Sequence, residues 1–321
     1  LVKEWDAIEW LDGAVWTPLV KATSGAYSLK RTKEELNGVE EFYFTLTNNS
    51  FNRTLVGSDR DVRLKYDGAV IFEGVLAAPQ YKVRTITAIV YNKTYEQAKK
   101  RVISGAYDNV AADMIFADIC TAAGLTAGSC PSTPLSGKFV KASCFEAIKF
   151  LATVLSKDFW SSGLTVNIGD RGASISLPAN SIKNGEPSAV DRAKRRNKIY
   201  VLGKDAVTGD QIEGSAGTGS DVIVFRESRP VDQSTIDLLA AQKLGECNQD
   251  VSNAEITLFI NATTAALRPG DTITVTEPLL ALNGSYRIMK IEKELLEAYC
   301  VIARRTLSTD ELMSNLQGFL A

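Results

Sequence analysis

In DVRLKYDGAVIFEGVL, residues 61–76, apolar and polar side chains alternate at a period of two on either side of an Asp67-Gly68 pair. That pattern is specific to an antiparallel hairpin, because alternate residues of a strand face opposite sides and Asp-Gly suits the left-handed backbone of a tight turn. Val62, Leu64 and Tyr66 are expected on one face, with Val70, Phe72 and Val75 continuing the apolar pattern beyond the turn. KVRTITAIV repeats the alternation, placing Arg84, Ile86, Ala88 and Val90 opposite Val83, Thr85, Thr87 and Ile89. EFYFTLTNN adds a further strand, so the first ninety-odd residues read as sheet.

The period changes near Thr94. Val110, Met114, Ile115, Ile119 and Ala122 or Ala123 recur at helical spacing, with Asp108 or Asn109 placed to cap the start and Gly124 to end the helix in a left-handed conformation. A second helix is expected in SCFEAIKFLATVLSKDFW, capped by Ser143 with Glu146 completing a capping box. GLTVNIGDRGASISLP returns to a hairpin. From about Ser181 strands dominate again, interrupted by one helix near 234–248, and STDELMSNLQGFLA closes the sequence as a short helix capped by Ser308 or Thr309. The two strand-rich regions finish alike, with a glycine, alternating strands, then Thr and a polar helix start, which suggests tandem copies of one barrel around an inserted α+β unit.

The 321 residues contain no histidine. Ser-His-Asp triads, Cys-His pairs and His-ligated metal sites are therefore excluded, while carboxylate pairs, lysine chemistry and Mg²⁺ sites pass that filter. Lys and Arg number 36 against 38 Asp and Glu, which lacks the basic excess of a protein that grips phosphates. No apolar run is long enough to span a bilayer, and LVKEWDAIEWLDG lacks a signal-peptide layout, so a soluble protein without stable membrane insertion is expected. The sequence opens on Leu1 rather than Met, which leaves the native N-terminus and any signal there open. The five cysteines form no CxxC pair; free thiols are the default, and Cys120 with Cys130 is the best placed pair for a disulfide.

Other features have bland and sharp readings. The glycine-rich EGSAGTGSD, residues 213–221, lacks the Lys-Ser/Thr of a phosphate loop and reads as a connection between strands. The basic run DRAKRRNK leads into the strand KIYVLG and reads as a charged edge. Carboxylates gather at Glu34, Glu35, Glu40 and Glu41 and at Asp59, Asp61 and Asp67, where a solvated surface is the reading preferred to a facing glycosidase pair. Trp5, Trp10 and Trp16 suit anchoring at an interface as well as core packing. Sequons at Asn48, Asn52, Asn92, Asn261 and Asn283 are treated as chance. No catalytic, cofactor-binding or metal-ligating residue is assigned, and no cofactor is expected.

The order of RLKYDGAVIFEGVL, SGAYDNVAADMIFADICTAAGL, GKFVKASCFEAIKFLATVLSKDFW, RRNKIYVLGKD, LRPGDTITVTEP and NGSYRIMKIEKEL resembles baseplate hub and tail-tip hub proteins of tailed phages and related contractile injection systems. In the last two segments the resemblance rests on Leu267, Pro269, Gly270 and Asp271, followed by Gly284 and Tyr286. It carries no catalytic motif. What it implies is an α+β chain, predominantly β, with a first β-barrel tube domain at 1–95, an α+β insert at 96–180, a second tube domain at 181–307 with a helical excursion, and a C-terminal helix at 308–321.

The implied function is a non-enzymatic structural hub: a homotrimeric ring whose six barrels join a sixfold tail tube to a threefold spike or tip around a central channel. Its partners would be the tail tube protein, other baseplate or distal tail proteins, and a spike or tip protein, with DNA present only in transit. The place would be the virion tail tip, after assembly in the host cytoplasm. Since no lysozyme-like or needle segment is expected after residue 310, a hydrolase or spike would be a separate protein. Two alternatives remain: a carbohydrate- or receptor-binding tail protein, possibly with glycosidase activity, and a DNA-contacting portal or connector component suggested by the basic run alone.

Overall fold

A computed structural model describes residues 7–12, 14–19, 27–56, 60–66, 69–77, 79–178, 180–187, 196–247, 253–277, 282–293 and 297–303. The chain is α+β and predominantly β, with its curled sheets organised around three hydrophobic cores.

The first region contains β1 (Ala7–Asp12), β2 (Val15–Pro18), β3 (Tyr27–Glu35), β4 (Glu40–Thr47), helix α1 (Ser50–Val56), β5 (Asp61–Tyr66), β6 (Ala69–Leu76), β7 (Gln80–Tyr81) and β8 (Thr85–Asn92). Ile86, Ala88 and Val90 face inward from β8 as the alternation predicts, and they pack with Phe42, Phe44, Leu64 and Phe72. The β5–β6 hairpin forms around Asp67 and Gly68, which lie outside the described residues, but its register shifts between Leu64 and Lys65. That bulge turns the second strand over by one residue: Phe72, Gly74 and Leu76 are buried, whereas Val70 is 46% exposed. Gly74 has a packing reason, since a Cβ there would stand 2.2 Å from the carbonyl oxygen of Tyr91 on the neighbouring strand.

The middle region contains α2 (Lys93–Lys100), β9 (Val102–Ala111), α3 (Ala112–Ala123), β10 (Thr126–Ala127), β11 (Pro134–Ser143), α4 (Cys144–Val154), β12 (Asp158–Ser162) and β13 (Thr165–Gly169). Ser143 caps α4 by accepting from the Glu146 amide, though the reciprocal half of the box is not made: Glu146 Oε2 is buried without a partner. Gly124, at φ 70°, ends α3 as expected. Asp108 and Asn109 do not cap that helix. They belong to β9, where Asn109 takes φ 51° and receives no helical turn; Ala111 stands at the cap with no side-chain bond, and Met114 is exposed.

The chain then runs through β14 (Ser174–Ser176) and β15 (Ile182–Pro187), and through β16 (Lys198–Asp205), β17 (Gln211–Gly217), β18 (Val222–Val231) and α5 (Gln233–Cys247). It ends in β19 (Asn253–Phe259), α6 (Ala262–Ala266), β20 (Thr272–Glu277), β21 (Leu282–Lys293) and β22 (Glu297–Ala303). Two expectations change here. β14 does not fold back as part of a hairpin; it pairs in parallel with β20. Residues 198–247, assigned from sequence to the second barrel, join the middle region instead, because β18 pairs with β11 and Ile199, Val201, Phe225, Ile236 and Leu239 fill the same core as Ile115, Ile148 and Leu151.

The final strands form their own core from Ala254, Ile256, Leu258, Ile273, Tyr286, Ile288 and Ile302. Its sheet is continuous with that of the first region. β21 is long enough to pair with β20 near its start and with β3 near its end, where Lys290–Lys293 lie opposite Glu35–Thr32. The result is one curled sheet ordered β15-β19-β22-β21-β3-β4-β8-β6-β5-β1-β2, with two separate apolar cores on it.

Candidate functional site

The three cores meet around the β3–β4 turn, and polar side chains join them there. Asn37 holds that turn at φ 55°, a left-handed conformation Asn tolerates better than most residues. Its Nδ2 donates to Asp158 Oδ1 at 3.3 Å, and its Oδ1 accepts from the Phe159 amide at 2.7 Å. Asp158 is 5% exposed and also accepts from the Arg171 amide and from Arg287 Nη2. One carboxylate thus links the first sheet, the middle unit and β21.

A second cluster lies alongside. Glu34 and Glu40 occupy directly opposed positions on β3 and β4, a pairing that repels unless cations intervene. Arg171 Nη2 reaches Glu34 at 2.5 Å, and Arg268 Nη1 reaches both Glu34, at 3.2 Å, and Glu40, at 3.3 Å. Burial and the Glu34 charge push the Glu40 carboxyl up to about 7, against the opposing pull of Arg268, Arg171 and Lys293. Lys293 is buried and donates to the carbonyls of Ala265 and Leu267; burial, helped by Arg268, brings its ammonium down to about 8.

Behind Arg171, glycines allow two loops to touch. Gly172 and Gly270 both have positive φ, and Gly270 O lies where a Cβ on Gly172 would need to be, 1.9 Å away. Asp271 then accepts from the amides of Ala173 and Arg268, at 2.8 and 2.7 Å, which aligns β14 beside β20. The Pro-Gly-Asp sequence singled out above therefore has a physical basis: Gly270 permits the close approach and Asp271 satisfies the backbone on both sides.

The carboxylates expected on a solvated surface divide. Glu34 and Glu40 come together in the junction, while Glu41 is elsewhere on β4 and Asp61 pairs with Lys93 at 2.9 Å. Asp59 and Asp67 lie outside the described residues. The facing pair does not make a sugar site. The cavity that Glu34 and Glu40 line has room of about 40 Å³, the scale of a water or two, and both acids are held by arginine. Among the described residues no cluster of three or more potential metal ligands occurs.

Trp10 is 9% exposed in the first core with Arg60 over its ring, and Arg63 lies over Trp16, so these two are packed rather than free to stack a ligand; Trp5 lies outside the described residues. Of EGSAGTGSD, residues 213–217 complete β17 and only 218–221 connect it to β18, with Gly217 and Gly219 at positive φ. Most of the basic run, 191–195, lies outside the described residues. Cys120 and Cys130 are free thiols, both pushed up to about 12 chiefly by burial. Asn52, Asn92 and Asn261 spend their amides on internal hydrogen bonds, Asn92 and Asn261 as helix caps. Asn283's side chain lies outside the described residues. No described helix is long and apolar enough to cross a membrane.

No protein-family model and no curated protein matches the chain. Solved structures do. The tail protein of Neisseria meningitidis MC58 superposes with a TM-score of 0.68 over 93% of this chain and 96% of its own, at 10% identity. The chain shares the fold of phage tail proteins. The 43 kDa tail protein of prophage MuSo2 from Shewanella oneidensis gives 0.65 over 92% and 97%, at 14% identity. A component of the E. coli type VI secretion system, described as structurally similar to the T4 tail proteins gp27 and gp5, gives 0.55 over 88% and 75%, at 9% identity. The first two matches take in 93% and 92% of the chain, more than any one of its three cores accounts for.

Proposed function

We propose that this chain is a structural hub at the tip of a phage-like tail, without enzymatic activity. Three copies would form a ring that joins a sixfold tail tube to a threefold spike or tip and surrounds the central channel. The observation that supports this most is the curled, mostly antiparallel sheet with two separate apolar cores, whose two halves join through β3 and β21. A chain carrying two such tube units presents six around a threefold axis, which reconciles the two symmetries without a second gene product.

The units would pack on the tail tube protein above, on other baseplate or distal tail proteins at the sides and on the spike below, with DNA only passing through. Charge-linked joints suit this role, because they hold three units in one orientation while the ring bears load. Gold-labelled antibody against the chain, viewed on tailed particles that contain it, is expected at one end of the tail only. Label distributed along the shaft would place the protein elsewhere.

The carbohydrate-active reading loses its support at the Glu34–Glu40 pair, which is arginine-bound and lines a cavity of only about 40 Å³. Those acids make a different prediction. The chain has no histidine, and the Glu40 carboxyl is pushed up to about 7. A carboxyl raised above its unfolded value binds a proton in the folded state that the unfolded chain has released, so stability falls as pH rises from about 4.5 to about 7. Thermal melts between pH 5 and 7.5 are expected to show that decline, and Glu40→Gln is expected to flatten it. A Gln variant with the same slope as the parent would remove Glu40 as its source.

A further inference from the structure

Three large apolar side chains stand exposed at one end of the first unit. Val83, in the turn between β7 and β8, is 94% exposed, Tyr81 beside it 52%, and Phe51, near the start of α1, 55%. Asn48 ties the two segments together. Its backbone amide donates to Arg84 O at 2.9 Å, and its side-chain amide donates to Lys82 O. The Lys82 amide closes the turn on Thr85 O at 2.8 Å. Asn48 stands on a segment that is itself held: Asn49 accepts from the Asn52 amide, and buried Asn52 donates to Thr47 O. The backbone therefore fixes Val83 in solvent, and an apolar tip already held in place loses little conformational freedom when it is covered.

The charges around this platform are of one sign. Residues 47–56 and 77–87 contain Arg53, Lys82 and Arg84 and no Asp or Glu. All three cations are exposed, and none has a carboxylate partner among the described residues. Arg53 Nε donates instead to Asn48 Oδ1, at 2.6 Å. An apolar centre among unpaired cations is complementary to an apolar socket with an acidic rim. Position narrows the partner further. β4 begins beside the junction with the middle unit and runs eight residues, about 24 Å, to Asn48. β8 returns from the turn along β4 and leads into α2. The middle unit adjoins one end of these strands, and the platform stands at the other, the end left clear for stacking.

We propose that Phe51, Tyr81 and Val83, flanked by Arg53, Lys82 and Arg84, form the surface by which the first unit docks on an acid-rimmed apolar socket of the tail tube protein. The proposal rests on the tail-hub reading and names the residues through which one face of the ring is recognised. It is tested by biolayer interferometry of purified tail tube protein on the full-length chain. The variants are Val83→Asp, the double reversal Lys82→Glu with Arg84→Glu, and, as a control, Lys138→Glu at an exposed position on β11 of the middle unit. All of these side chains are exposed, so thermal melts of the variants are expected to match the parent's.

Val83→Asp and the double reversal are each expected to weaken binding by about ten-fold or more, with Lys138→Glu at the parent's affinity. Parent-level affinity in the first two variants would overturn the proposal and leave the hub reading standing. Absence of binding by the parent would overturn both. Binding of the parent to anionic phospholipid vesicles, lost in Val83→Asp, without binding to the tube protein would assign the platform to a lipid surface and overturn the proposal as well.

Discussion

Asp158→Ala is expected to lower folding stability by about 3 kcal/mol, since it removes the acceptor for Asn37, Arg287 and a backbone amide at a site with little access to water. Arg287 is partly exposed through a cleft between α4 and α5, which keeps the cost below that of a fully enclosed orphan charge. The loss should extend beyond local packing, because Asp158 ties the middle unit to Asn37 of the first sheet and to Arg287 of β21. Urea denaturation measures it. Asn37→Gly provides the comparison: it keeps the left-handed turn but removes the tie to Asp158 and Phe159, so a smaller loss is expected. Equal stability of Asp158→Ala and the parent would mean that the cores hold together without this junction.

Gly172→Ala is the second large effect, at about 3 kcal/mol or more. The new methyl would lie 1.9 Å from Gly270 O, within the backbone rather than near a side chain that can swing away, and φ +112° is unfavourable for any residue with a Cβ. The loop must move, and with it the Asp271 contacts that align β14 with β20. Gly163 is the control. It also has positive φ, at +61°, but nothing lies within 4 Å of its would-be Cβ, so Gly163→Ala should cost only about 1 kcal/mol. If the two variants melt together, the contact between the 172 and 270 loops carries no weight.

Local chemistry was legible in the sequence where it is self-contained. Ile86, Ala88 and Val90 are read correctly from alternation, and Ser143 and Gly124 from capping rules, because each depends on residues a few positions away. The errors have local causes too. Val70 is misplaced by a bulge that shifts parity, and Asp108 and Asn109 look like caps while they form a bulge of β9, between the Tyr107–Gly137 and Val110–Leu135 pairs, held by the Ser136 hydroxyl. The chain's larger division fails for another reason: 198–247 has the same strand character as the barrel that follows it, and only the pairing of β18 with β11 assigns it to the middle core.

The junction was the least legible part. In the sequence Glu34 is one of four neighbouring acids, but its partners are Arg171 and Arg268, 137 and 234 positions away. No periodicity links such residues. The Leu267-Pro269-Gly270-Asp271 pattern was the available signal, since a Gly-Asp pair before a strand marks a backbone that needs both special φ and an acceptor. It pointed to the right place without naming the groups that meet there.

The proposal of a ring is tested most directly by the mass of the purified protein in solution from light scattering, followed by class averages of any particle in negative stain. The proposal predicts a mass of three chains of 34.8 kDa and a ring with six peripheral lobes around an open centre. A single-chain mass at every concentration, with no ring when the tail tube protein is added, would contradict it.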